Sequence, residues 1–171
     1  MKKYFLAFLI SNIFIGYAAV YQDIQKPGDF VKEIFSNKTP VAKKVWIKGD
    51  VKKNIEQILQ HSFSSLRVRY WKHEDMTVWI LDEIGKEEAI TFGIAIKDNY
   101  VHNAKVLTYR ETRGFEIIRK DFQNQFKNAK LKGKIQLNKD IDGISGATLS
   151  VKAMTKVVLI ALYLHHITAN K

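Results

Sequence analysis

Four β-rich stretches follow one another between residues 66 and 109 and are joined only by short turns. They are rich in Val, Ile, Tyr, Trp and Thr, the residues that favour strands. Neighbouring parallel strands need a crossover of a dozen or more residues, and these connections are too short for one. The sequence therefore predicts an antiparallel meander. Its expected strands span 66–71, 77–81, 89–96 and 100–109.

Helical periodicity predicts helices that pack on this sheet. One helix is expected to begin near Asp50, whose side chain is expected to cap it. Its apolar residues lie at i, i+4, i+7 and i+8 counted from Val51, which places them on one helix face. A second is expected over 116–126. A third, over 149–166, lacks Pro and Gly and has a wide apolar face, which indicates a largely buried helix. With a further strand near 134–137, the expected fold class is α+β.

The N-terminus has the pattern of an export signal. Lys2 and Lys3 precede an apolar stretch that ends near small residues at 16–18. We therefore expect a signal peptide over 1–18. An uncleaved anchor is the alternative, since 4–21 is about as long as a minimal membrane span. Both interpretations place the protein in the periplasm or otherwise outside the cytoplasm, and the second allows membrane association.

One folded domain is expected after that signal, because 171 residues are enough for one core but too few for a clear second one. Residues 19–48 are interpreted as an N-terminal connector, and 49–171 as the domain. The connector contains two pairs of residues that are typical of turns, Pro27-Gly28 and Thr39-Pro40.

Composition excludes several kinds of site. The chain has no Cys, so disulfides, Fe–S clusters and thiolate metal sites are excluded. The net charge is +11, but the lysines are scattered, and no nucleic-acid partner is expected. No metal site is expected either, because no two histidines have ligand spacing along a helix. This applies to His61, His73, His165 and His166.

Residues 142–150 lie directly before the last predicted helix and combine two glycines, three hydroxyl residues and a carboxylate. Small residues let a backbone approach a ligand, and the free N–H groups of a helix N-terminus favour a phosphate. An ordinary capped turn explains the same residues. A hydrolase elbow with Ser145 as nucleophile is a weaker alternative, since Ala147 stands where its second Gly belongs.

The same segment resembles the flavinylation motif of the FMN-binding domain family, which includes the covalently flavinylated subunits of sodium-pumping NADH:quinone reductase and Rnf complexes. The family pattern is Asp, two residues, Ser or Thr, Gly, Ala or Ser, and Thr, and residues 142–148 fill every position. The resemblance implies that a flavin transferase takes FMN from FAD and joins its phosphate to the Thr148 hydroxyl, one FMN per chain. The other cofactor-binding residues that it implies here are Asp142, Gly143, Ser145, Gly146, Ala147, Leu149 and Ser150.

A second resemblance lies about thirty residues earlier. Residues 109–114, Tyr-Arg-Glu-Thr-Arg-Gly, resemble the family's Glu-Thr-Pro-Gly loop, and 122–126 resemble the aromatic-Gln segment that often follows it. This resemblance implies that Glu111, Thr112 and Gly114 border the isoalloxazine ring. Arg113 replaces the family's Pro, which leaves the loop backbone less fixed.

The resemblance, which covers roughly 85–166, implies an exported electron-transfer flavoprotein rather than a stand-alone enzyme. No dinucleotide fingerprint is present, so electrons are expected to pass between redox proteins or from a quinol. One alternative is a membrane-anchored accessory subunit of an ion-pumping or reductase complex. The other is a flavin-free basic binding module.

Overall fold

An antiparallel six-stranded sheet forms the centre of the computed structural model, which describes residues 22–169. Its strands are β1 (Gln22–Asp23), β2 (Lys43–Trp46), β3 (Arg67–His73), β4 (Met76–Ile84), β5 (Ala89–Lys97) and β6 (Tyr100–Tyr109). A separate pair is formed by β7 (Leu131–Lys132) and β8 (Gln136–Leu137). The helices are α1 (Pro27–Ile34), α2 (Gly49–Leu59), α3 (Lys120–Asn124) and α4 (Thr148–Ala169). The predicted α+β class is confirmed.

The strand order is β1-β6-β5-β4-β3-β2, so the four consecutive strands β3 to β6 are neighbours and form the predicted meander. The β5–β6 turn shows why the register is fixed there. Lys97 pairs with Tyr100, and Asp98 and Asn99 between them have φ values of 51° and 65°. Two central residues with positive φ are the mark of the hairpin turn whose twist matches that of the strands.

The segment interpreted as a connector contributes to the fold. It supplies α1 and both edge strands of the sheet, β1 beside β6 and β2 beside β3. Phe30 and Val31 of α1 are buried against the sheet face opposite α4. A Cβ on Gly93 would lie 2.6 Å from the Phe30 ring, so glycine at that point of β5 allows the aromatic ring to lie on the sheet.

Helix α4 covers the other face of the sheet and packs against β4, β5 and β6. It begins at Thr148, one residue before the predicted range of 149–166. Among the described residues it is the one helix long and apolar enough to cross a membrane, yet 72% of its most apolar window is buried inside the fold. We therefore interpret α4 as the core helix of the domain, in agreement with the predicted burial.

Two local expectations were wrong. Asp50 does not cap α2, because the N-cap is Lys48 and no side-chain hydrogen bond caps the helix. The helix expected over 116–126 is broken into a 3-10 turn at Phe115–Ile118 and the short α3, since Arg119 between them is extended. The strand expected near 134–137 is present as β8, which pairs with β7 outside the main sheet. The predicted signal segment lies outside the described residues.

A polar network inside the core joins α4 to β4. His165 is 3% exposed, and its Nδ1 lies 2.8 Å from Oγ1 of Thr77. The Trp79 indole N–H donates to the same hydroxyl at 2.9 Å. That hydroxyl can accept from Trp79 and donate to a neutral Nδ1 at the same time. Burial, the largest cause, lowers the pKa of His165 from 6.5 to about 4.

Acidification should therefore destabilise the fold between pH 6.5 and about 4. In the unfolded chain the His165 ring protonates near its ordinary pKa of 6.5, whereas the folded ring stays neutral down to about 4. Because the folded pKa is the lower one, stability present above pH 6.5 is lost as the pH falls, by roughly 3 kcal/mol. Urea unfolding from pH 7 to pH 4 measures this loss. His165→Gln should reduce the slope, and His166→Gln, an exposed neighbour, should keep it; equal slopes would contradict the assignment.

Candidate functional site

The glycine-rich segment before α4 forms a tight turn. The N–H of Ala147 donates to the carbonyl of Ile144 at 3.0 Å, and Gly146 has a φ of +80°. This is the geometry of a type II turn, whose third residue requires a positive φ and therefore favours glycine. Ser145 occupies the second position and is exposed. The turn directs the chain into the first residue of α4.

Thr148 is exposed at the N-terminus of α4. The first hydrogen bond of the helix runs from the N–H of Val151 to the carbonyl of Ala147 at 3.0 Å. The N–H groups of Thr148, Leu149 and Ser150 therefore come before the intrahelical hydrogen bonds begin. They lie at the end of the helix where its dipole favours negative charge. A phosphate bonded to the Thr148 oxygen would lie at that end.

Glu111, in the second motif, has a buried carboxylate that holds a backbone turn. Its Oε1 accepts the N–H of Glu87 at 2.8 Å and that of Glu88 at 3.1 Å, and it also accepts the N–H of Lys86. These residues form the β4–β5 turn. A carboxylate oxygen on several backbone N–H groups is a charge-assisted arrangement, stronger than neutral hydrogen bonds. Glu111 thereby fixes the turn beside the motif, a role that the sequence did not predict.

The two motifs touch each other at Gly114. A Cβ on Gly114 would lie 3.0 Å from the Cβ of Ala147 and 3.2 Å from the Tyr109 hydroxyl, and Gly114 has a φ of +82°. The Tyr109 hydroxyl donates to the carbonyl of Arg113, and burial raises its pKa, an effect opposed by a hydrogen bond with Ser150. Glycine at 114 therefore allows close contact between the loops.

Both motifs line one cleft of about 480 Å³, which we call the motif cleft. Of the predicted site residues, Glu111, Thr112, Gly146, Ala147, Thr148, Leu149 and Ser150 line it. Gly114 lies behind Ala147, and Gly143 lines a neighbouring groove instead. Asp142 is exposed, and its backbone N–H donates to Oε1 of Gln125 at 2.8 Å, so the aromatic-Gln segment holds the start of the loop.

Sequence reasoning missed three residues that line the motif cleft: Lys86, Glu87 and Arg113. Lys86 and Glu87 belong to the β4–β5 turn, far from both motifs in sequence, and only the strand register brings them close. Lys86 pairs with Glu87 at 3.1 Å, with both side chains about two thirds exposed, so this ion pair is weak. The cleft is thus lined by two cationic side chains, Lys86 and Arg113, and two carboxylates, Glu87 and Glu111.

Two large apolar side chains on the motif loops are exposed. Leu149 is 47% exposed and lines the cleft, and Phe115, directly after Gly114, is 60% exposed. Phe115 could have been found from the sequence, because it is an aromatic residue directly after the glycine of the second motif. An apolar ligand that covered them would remove apolar surface from water, which is favourable.

The histidines and tryptophans lie elsewhere. In the part of the chain that the structure describes, no group of three His, Cys, Asp or Glu side chains is placed to hold a metal ion. His61 bonds the Ser62 carbonyl and the Glu83 carboxylate, and these two contacts raise its pKa, the carbonyl contributing most. Trp79 is buried and stacks on Tyr70 with ring centroids 4.7 Å apart, which makes it a core residue.

Residues 85–163 match the model of a protein family described as the FMN-binding domain. This segment belongs to that family. The matched segment begins at the β4–β5 turn and runs through both motifs into α4, so it contains every residue that lines the motif cleft. No curated protein and no solved structure gives a significant match to the chain. The family match supports flavin binding by residues 85–163.

A methyl group on Gly85 should disturb this site. A Cβ there would lie 2.6 Å from Oε1 and 3.3 Å from Cδ of Glu111, a carboxylate that cannot move without leaving its N–H partners. We expect Gly85→Ala to lower the free energy of unfolding by about 1–3 kcal/mol, the usual cost of overpacking. Denaturant unfolding measures it.

Gly28→Ala in α1 is the matched control, because nothing lies within 4 Å of its added Cβ. It should leave stability unchanged or slightly raise it. An equal loss in both variants would show that the Glu111 contact is not the cause.

Proposed function

We propose that this protein is an exported electron-transfer flavoprotein that carries one FMN through a phosphoester to Thr148. The observation that carries the proposal is the meeting of two motifs, thirty residues apart in sequence, at one cleft with an exposed threonine on its wall. If residues 142–150 were only a capped turn before a helix, the loop 109–114 would have no reason to lie beside them. The family match supports flavin as the ligand.

The phosphate end of FMN fits the N-terminus of α4. Thr148 offers an exposed hydroxyl, and the N–H groups of the first helical turn favour the charge that a phosphodiester retains. Lys86 and Arg113 also line the cleft, together with the carboxylates of Glu87 and Glu111. Gly146, with its φ of +80°, lets the backbone turn without a side chain beside the attachment point.

The ring end fits the apolar side chains beside the cleft. Leu149 follows the attachment residue and Phe115 follows Gly114, so the two exposed side chains stand on different loops. A planar ring packed on them would remove apolar surface from water, at roughly 25 cal/mol per Å². Thr112 is exposed and lines the cleft, so it can offer its hydroxyl to a polar ring edge.

Bound FMN supplies the acceptance and release of electrons. The protein's residues bind and orient it: the α4 N-terminus holds the phosphate, and the Glu111 carboxylate keeps the β4–β5 turn in place. Glu111 acts here as a positioning residue, because its Oε1 is taken by backbone N–H groups. Redox proteins or a quinol are the proposed donor and acceptor, and a flavin transferase is the partner for maturation.

Thr148→Ala should abolish covalent flavin. The full chain co-expressed with a flavin transferase should gain the mass of one FMN less one water, together with flavin absorbance that survives denaturation. The alanine variant should show neither, because it lacks the hydroxyl that forms the ester bond. Intact-mass spectrometry of the denatured protein checks both.

Thr39→Ala is the matched control for that experiment, since Thr39 is an exposed threonine outside both motifs. It should keep the mass gain. A wild-type chain without added mass, beside an active transferase that loads another substrate, would remove the covalent proposal. A loss with Ser145→Ala but not with Thr148→Ala would move the attachment site.

Export is tested by fractionating cells that make the full chain and measuring the mass of the recovered protein. Lys2, Lys3 and the apolar stretch after them support a signal that is cleaved near residue 18. The expected product is extracytoplasmic and lacks that segment. Full-length protein in the membrane would favour the anchored accessory subunit, and full-length protein in the cytoplasm would contradict export.

A further inference from the structure

A second and larger concavity lies on the other side of Thr148 from the motif cleft. It has a volume of about 840 Å³ and is bounded by the end of α2, the β7–β8 pair, the loop 139–143 and α4. We call it the lysine groove. Its size is within the range of small-molecule sites. Apart from Thr148, no residue of the motif cleft lines it.

One stripe of α4 forms the wall of the lysine groove. The helical residues that line it follow a spacing of i, i+3, i+4, i+7, i+8 and i+11, which is a single helix face. They are Thr148, Val151, Lys152, Thr155, Lys156 and Leu159. The stripe alternates between apolar side chains, cationic side chains and threonines, so the wall is amphipathic.

The floor of the groove is apolar. Val151, Leu159 and Ile58 of α2 are 7%, 8% and 6% exposed, and the half-buried Ile135 and Leu137 continue this surface on the β7–β8 side. A flat apolar ligand in the groove would contact apolar side chains of α2 and α4 on one side and of the β7–β8 pair on the other. A simple inorganic anion would gain nothing from it.

The rim of the groove is cationic. Four lysines line it against a single carboxylate, that of Asp140. Lys156 bonds the buried Glu83 carboxylate at 3.1 Å, which anchors that part of the wall. Within residues 22–169, no ion pair involves the other three lysines. They are Lys132, Lys139 and Lys152.

We infer that the lysine groove is a second binding site, for a small anion with a planar apolar body such as an aromatic carboxylate or sulfonate. The apolar floor takes the ring, and the three free lysines take the anionic group. The site goes beyond the proposed function and does not depend on flavin attachment. It places its ligand beside Thr148.

The test measures binding of 2-naphthalenesulfonate by calorimetry to the full-length chain, purified with and without a co-expressed flavin transferase. Both forms should bind one equivalent. The neutral 2-naphthol and the small methanesulfonate should each bind at least tenfold more weakly, because each lacks one half of the ligand. Chemical-shift changes at α4 and β8 residues should report the location.

Charge variants separate the groove from the general basicity of the protein. Lys132→Gln/Lys139→Gln/Lys152→Gln should weaken binding about tenfold, as expected for three exposed charges. Lys43→Gln/Lys44→Gln/Lys127→Gln removes the same charge at exposed positions outside the groove and should keep the affinity. Thr155→Tyr, which fills the groove without changing charge, should also weaken binding.

Three results would overturn the inference. Equal weakening in both triple variants would mean nonspecific attraction to a basic surface. Loss of binding on flavin loading would mean that the groove belongs to the flavin. Binding of a hexaglutamate peptide but not of 2-naphthalenesulfonate would assign the groove to an acidic protein. Thermal unfolding of each variant verifies that it is folded, so that every loss of binding is interpretable.

Discussion

The packing of α4 across β4, β5 and β6 determines where the functional surfaces of this domain can lie. A helix buried along most of its length cannot shift or rotate without exposing the side chains that form the core. Its N-terminus is therefore a fixed point. The motif cleft lies on one side of that point and the lysine groove on the other, and both share Thr148.

Tight contacts then hold the loops around this fixed point. The Glu111 carboxylate binds the β4–β5 turn through backbone N–H groups, and Gly114 lies against Ala147. Gln125 holds the backbone of Asp142. Each of these contacts joins segments that are distant in sequence. The motif cleft is thus enclosed by loops that the sheet and α4 bring together.

The sequence predicted the meander well because its connections are too short for any other arrangement. It also predicted α4, because a long apolar segment without Pro or Gly is typical of a buried helix. It predicted α3 badly, because helical spacing of apolar residues says nothing about the extended backbone at Arg119. The short edge strands β1 and β2 have no pattern of their own and exist only through pairing with their neighbours.

For the site, the resemblance identified residues that share one cleft, but it did not identify how they act. Glu111 was expected beside the flavin ring, and the structure shows its Oε1 occupied by the turn. Lys86 could not be predicted, since its place in the cleft comes from the register of β4 with β5. Contacts of this kind follow from tertiary structure and leave no local signal in the sequence.

The pairing of β1 with β6 also determines at which end of the sheet the chain enters the domain. Gln22 lies opposite Tyr109, and the two strands are antiparallel. The chain therefore enters the sheet at the end where β6 leaves for Glu111 and the motif cleft. Any segment before Gln22 is therefore joined to the domain at its cleft end, and the β5–β6 hairpin lies at the opposite end of the sheet.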